Sequence, residues 1–299
     1  MEVTEQSERP RDLSPGESDA VTIAFADLNA AVCGIARVGV ALTDEGPRAS
    51  GLGMLFAGGE PVTVRGGTAV PAPGDLSWAG AAAAGVETEV LEPLRRWSVL
   101  FGSEDGRSGF DLELEARSEP ATLDARSPAG RLGGMAGYDQ LVAVSGTVTV
   151  DGADRPFRGL GQRGRSWGSP DWDRLSMART IGVWLEDGTG VTISALRPAG
   201  DRGLRDEVAA ATLLPGPDAD PLPVADPRIS TIYDEDGRQQ AAGLELWVGE
   251  DDEEAIRLAG DVACGTTLDL GALRLDAAFF TWSDGARRGV GRYDCVLRG

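Results

Sequence analysis

The chain has 299 residues, 41% of them apolar and 25% charged, a globular composition long enough for two domains or one large all-β domain. Its 28 basic residues are all arginine. With 48 acids, no lysine and no histidine, the formal charge is −20. Ser-His-Asp or Cys-His catalysis, histidine-ligated metals and Schiff-base or P-loop lysines are therefore excluded, and nucleic acid and anionic membrane surfaces are not expected partners.

In chain order, residues 1–18 are polar, contain proline and carry no apolar run. We expect a flexible acidic tail there rather than a signal peptide. No window approaches the ~20 apolar residues of a membrane span, so a soluble cytoplasmic protein is expected. Val21, Ile23 and Phe25 alternate with Thr22 and Ala24 as in a half-buried strand. Cys33 sits in an apolar run and reads as a small core residue; with Cys264 and Cys295 it makes neither a disulfide framework nor a C-x-x-C metal site. Ala79 to Ala84 has helical composition cut by Gly80 and Gly85. Phe110, Leu112, Leu114 and Ala116 alternate with acids in a second strand. Glu119 to Gly137 reads as a long loop, and Val142, Val144, Val148 and Val150 mark a longer strand. Residues 204–214 suit either helix or strand, Pro215 to Pro227 reads as a loop, and Leu244, Leu246 and Val248 repeat the alternation. Glu250 to Glu254 reads as a solvated loop without calcium-ligand spacing. Asp-Gly pairs at 105–106, 151–152, 187–188, 236–237 and 284–285 follow or separate such runs, as type I′ hairpin turns require. Trp78, Trp97, Trp184, Trp247 and Trp282 are expected in a core or lining a cavity. No metal site and no cofactor is expected.

Gly159 to Trp172 is the densest signal, and it imitates two known patterns. Gly159, Gly161 and Gly164 have dinucleotide-fingerprint spacing, but Trp167, Gly168 and Pro170 leave no room for the helix that would hold a pyrophosphate. Gly164-Arg165-Ser166-Trp167-Gly168 matches a nucleophile elbow, but the chain has neither histidine nor lysine to activate Ser166. Two readings remain. Arg163, Arg165, Trp167 and Trp172 either close a barrel end by carboxylate pairing and indole stacking, or they form the wall of an apolar ligand cavity.

Four segments carry a resemblance: Ala24-Phe25-Ala26-Asp27-Leu28, Val90 to Trp97, Tyr138-Asp139-Gln140 leading into Gly146 to Gly152, and Gly161 to Trp172. By these the chain resembles the carotenoid 1,2-hydratase (hydroxyneurosporene synthase) superfamily of lipocalin-like proteins and its bacterial relatives, to which fungal lipocalin-like Diels–Alderases are related in fold. The resemblance implies two lipocalin-like β domains and an apolar cavity for isoprenoid-type substrates. It also implies an Asp-His pair just ahead of Ser166-Trp167-Gly168, where this chain has Gly164 and Arg165. Arginine, with a pKa above ~12, cannot protonate carbon. Asp171, Asp173 and Asp139 are replacement acids by position, with Tyr138 or Tyr293 able to assist. The alternative for Asp171 and Asp173 is surface pairing with arginine, and for Tyr138-Asp139-Gln140 a turn at the start of a strand.

We therefore expect an all-β protein of two lipocalin-like antiparallel β-barrel or sandwich domains, residues 19–165 and 166–299. It is expected to bind or process a hydrophobic terpenoid-, carotenoid- or polyketide-like molecule in a barrel cavity. Asp171 and Asp173 are the assigned acids, and Arg163, Arg165, Trp167, Trp172, Tyr138 and Gln140 the ligand contacts. A hydratase- or cyclase-type lyase and a filled, structural barrel are the alternatives.

Overall fold

A computed structural model describes residues 1–71, 78–200, 207–217, 219–249 and 255–298. Two antiparallel sheets make up almost all of it, as period-2 alternation and abundant turn residues dictate. The first holds β1 (Ser18–Ala26), β2 (Val32–Thr43), β3 (Gly46–Ala57), β4 (Glu60–Ala69) and β5 (Val86–Glu92), then β6 (Arg96–Gly102), β7 (Gly109–Ala116), β8 (Ala121–Leu123), β9 (Met135–Val150) and β10 (Ala153–Gly168). The second holds β11 (Leu175–Leu185), β12 (Gly190–Pro198), β13 (Val208–Leu214), β14 (Leu222–Pro223) and β15 (Asp226–Tyr233), then β16 (Gln239–Trp247), β17 (Ile256–Asp269), β18 (Leu273–Ser283) and β19 (Arg288–Arg298).

Strand order is β4-β3-β2-β1-β10-β9-β7-β6-β5, with β8 beside β9, and then β14-β13-β12-β11-β19-β18-β17-β16-β15. In both sheets the first strand pairs with the last, and two meanders run outward from that central pair. Each sheet curls around its own apolar core. Phe25, Trp97, Phe101, Phe110 and Leu112 fill the first, while Ile181, Val183, Leu244, Phe280 and Tyr293 fill the second. Each such buried side chain contributes roughly 1.5–3 kcal/mol of transfer free energy. A third core, with Cys33, Met54, Phe56, Leu141, Trp184 and Phe279, lies where the outer faces of the two sheets meet. The lipocalin-like all-β fold expected from the resemblance is the one observed.

Several local expectations change. Of the five Asp-Gly pairs, only Asp151-Gly152 has both residues at positive φ, 53° and 81°, and forms the tight β9–β10 hairpin. At 105–106, 187–188, 236–237 and 284–285 only the glycine is left-handed. There a nearby aspartate caps the turn instead, as when Asp187 Oδ1 accepts from Thr189 N–H at 2.9 Å. The stretch from Glu119 to Gly137, expected as a loop, contains β8 and a short helix α1 (Pro128–Gly133). Ser127 caps this helix, Pro128 opens it, and Gly134 at φ 62° closes it. Residues 207–214 resolve as the lead-in to β13 and the strand itself, while residues 204–206 and 250–254 lie outside the described residues.

The N-terminal segment is held at its centre. Glu8 is 3% exposed and reaches Arg163 with two hydrogen bonds, 3.2 and 2.5 Å long. Trp78 Nε1 donates to the Glu8 carbonyl at 2.8 Å.

Candidate functional site

Alternation along β10 divides the central motif between two places. Arg163 and Arg165 point into the first sheet's interior. Arg163 stacks over Trp97, 4.5 Å from the ring centroid. Arg165 grips Asp19 at 3.1 and 2.5 Å, donates to the carbonyls of Ser7 and Arg9, and lies 4.7 Å from the Trp78 ring. Tyr138 and Gln140 on β9 share this interior, Gln140 Nε2 donating to the carbonyls of Ser118 and Leu94. Trp167 lies under Arg11, 4.7 Å from its centroid, and meets Tyr138 edge-on. These side chains fill the space they line, with carboxylate pairing and indole stacking both present.

Gly164 faces the other way, toward the second sheet. Arg37 on β2, Thr22 on β1, Gly164 on β10 and Asp139 on β9 pair directly in one row. Directly paired residues share a face, so the four project together. Ser194 on β12, Thr180 on β11 and Asp294 on β19 form a matching row on the second sheet. A cleft of about 950 Å³ is lined by both rows, a volume suited to a drug-sized ligand. Ile35, Leu52, Met54, Leu268, Leu275 and Trp172 are among the apolar residues of its wall.

One contact in this cleft joins the two sheets. The Asp139 carboxylate lies against Gly164, in the space a Cβ there would occupy. Its other oxygen accepts from Thr192 Oγ1 of the second sheet at 3.0 Å. Beside it, Gln162 braces the sheets by donating to Thr192 Oγ1 and accepting from Trp184 Nε1, both at 3.4 Å. Gly182 leaves room for that amide. Across the cleft, burial pushes the Asp294 carboxyl up to about 6, against the pull of Arg292 3.7 Å away and of the Ala278 N–H. Among the described residues Asp294 Oδ1 has no hydrogen-bond partner. Burial lowers the Arg37 pKa, since desolvation disfavours its charge.

Asp171 and Asp173 stand exposed on the turn between the sheets. Asp171 caps the Trp172–Arg174 turn and Asp173 pairs with Arg298 at 2.7 Å; neither lines the cleft. Trp172, between them, does. The expected ligand contacts are thus split: Arg163, Arg165, Tyr138 and Gln140 bury their polar ends in the first sheet, Arg165 and Tyr138 also border the cleft, and Trp172 lines it. Sequence reasoning missed Arg37, Thr192, Arg292 and Asp294. Each reads as the wet face of a half-buried strand, and only the opposite sheet makes that face an interior. Among the described residues no group of three or more Cys, Asp or Glu is placed to hold a metal.

The sequence matches the family model described as a domain of unknown function (DUF7064) over residues 2–296. The chain belongs to the DUF7064 family. No curated protein matches the sequence. Among solved structures, this DUF7064 chain is similar to CghA at 13% identity and a TM-score of 0.63, covering 96% of this chain and 90% of that one. It is similar to an AttH-type protein, NE1406, from Nitrosomonas europaea at 18% identity and TM-score 0.60, with 93% and 91% covered. It is also similar to kievitone hydratase from Nectria haematococca at 11% identity and TM-score 0.60, with 99% and 93% covered. At these identities the likeness is one of fold. No helix among the described residues is long and apolar enough to cross a membrane.

Proposed function

We propose that this protein binds a largely apolar small molecule, of terpenoid, carotenoid or polyketide type, between its sheets and performs hydratase- or cyclase-type lyase chemistry on it. Asp139, not Asp171 or Asp173, takes over the acid–base role of the superfamily's Asp-His pair. The observation that carries this reading is the Asp139 carboxylate lying where a side chain at position 164 would project. A carboxylate thus replaces the superfamily's acid from the neighbouring strand.

The two carboxyl groups suit complementary roles. Asp139, held through one oxygen by the Thr192 hydroxyl, is placed to accept a proton from carbon. Asp294, pushed up to about 6, retains part of its proton near neutrality and suits donation to a departing hydroxyl. Elimination of water by this pair, or its reverse, needs no histidine. The apolar wall excludes bulk water and strengthens each electrostatic contact. The fold of kievitone hydratase, a hydratase by name, supports the reaction class.

The test is incubation with a lipid extract, followed by mass spectrometry of retained and altered molecules. A product differing from its precursor by one water, formed by the wild type and lost in Asp139→Asn, is expected. A ligand released unchanged by both proteins overturns the reading.

A further inference from the structure

Among the described residues, the cleft contains one cation that forms no ion pair. Arg163, Arg165, Arg179 and Arg292 each face a carboxylate, on Glu8, Asp19, Glu207 and Asp294 respectively. Arg37 lines the same cleft as Asp139 and Asp294, yet among the described residues it forms no ion pair. Its guanidinium donates to Ser50 Oγ at 3.3 Å and runs along β2 past Gly39, where a Cβ would come within 3.0 Å of Nη1. The side chain is therefore guided along β2, with Leu52 paired beside it on β3. An arginine partly withdrawn from water and left without an anion is unfavourable. An anion brought in by a ligand removes that penalty and gains a two-point, charge-assisted contact.

We infer that Arg37 is the head-group site of this cleft and that the natural ligand is an amphiphile with an apolar body and an anionic oxygen group, a carboxylate or an acidic enol. The inference rests on the cleft being the binding site and adds the chemistry of what enters it. Along the shared row Arg37 and Asp139 are three strand spacings apart, roughly 14 Å. The anion is thus held well away from Asp139, and the intervening body of the ligand is presented to it. The chain's charge of −20 repels anions generally, so a preference for an anionic ligand must come from a local contact such as this one.

Calorimetric titration of the whole protein with decanoate and with decanol tests the inference without a variant. Decanoate should bind at least about tenfold more tightly, the size expected of a charge-assisted contact. Arg37→Met should abolish that preference while leaving decanol affinity unchanged, and Asp139→Asn should keep it. Equal affinities in the wild type, no binding of either probe, or a preference that survives Arg37→Met overturns the inference. Turnover separates this outcome from the fate of the proposed reaction. Carboxylate preference without Asp139-dependent chemistry refutes only the reaction, and Asp139-dependent chemistry without the preference refutes only the head-group site.

Discussion

Glu8 and Arg163, 155 positions apart in sequence, form a two-point ion pair inside the first sheet, with both side chains almost fully buried. The pair fastens the N-terminal segment across the sheet's interior. Removing one partner strands the other charge without solvent. Glu8→Gln should therefore lower unfolding free energy by about 3–5 kcal/mol. Replacing Glu8 and Arg163 together with leucine and methionine should recover most of that loss. Chemical denaturation of the three proteins measures both effects, and a loss below about 1 kcal/mol in Glu8→Gln contradicts the pairing.

The contact between Asp139 and Gly164 makes a reciprocal prediction. Gly164→Ala places a methyl group against the Asp139 carboxylate, which should break the Thr192 hydrogen bond and reduce turnover. Moving the carboxylate one strand over, by combining Asp139→Gly with Gly164→Asp, should restore turnover above that of either single variant. Steady-state rates of the four proteins decide it; a double variant no better than Asp139→Gly counts against the site.

Asp294 predicts a pH dependence whose sign can be worked out. Its proton is held more tightly in the fold, up to about 6, than the ordinary value of 3.8. Its contribution to stability is therefore full below the ordinary carboxylate range and is lost as pH rises through about 6, a change of about 3 kcal/mol. The stability difference between Asp294→Asn and wild type should shift in the variant's favour by about that amount from acid to neutral pH. Unfolding curves at both pH values measure it, and a difference that does not change with pH contradicts the assignment.

The strands were legible because alternation survives in Phe110 to Ala116 and Val142 to Val150, and the Asp151-Gly152 hairpin because both residues tolerate positive φ. Pairing of β1 with β10, and of β11 with β19, was not, since nothing local records which distant strands meet. The site was hidden for a related reason. Thr22, Arg37 and Asp294 occupy polar positions on alternating strands, and such positions ordinarily face water. The second sheet covers this polar face of the first, turning a solvated pattern into a cleft. Asp139 was within reach of sequence reasoning through the Tyr138-Asp139-Gln140 segment. Its meeting with Gly164 depends on the β9–β10 register, which the sequence pattern alone does not specify.

On this reading Asp139 performs the chemistry in the cleft between the sheets. Once a substrate is identified from the lipid extract, single-turnover rates of wild type and Asp139→Asn, with ligand binding measured alongside, test it most directly. Asp139→Asn should bind the substrate normally but convert it about 10²–10⁴-fold more slowly, as expected for loss of a general acid or base. Conversion at the wild-type rate by Asp139→Asn would contradict it.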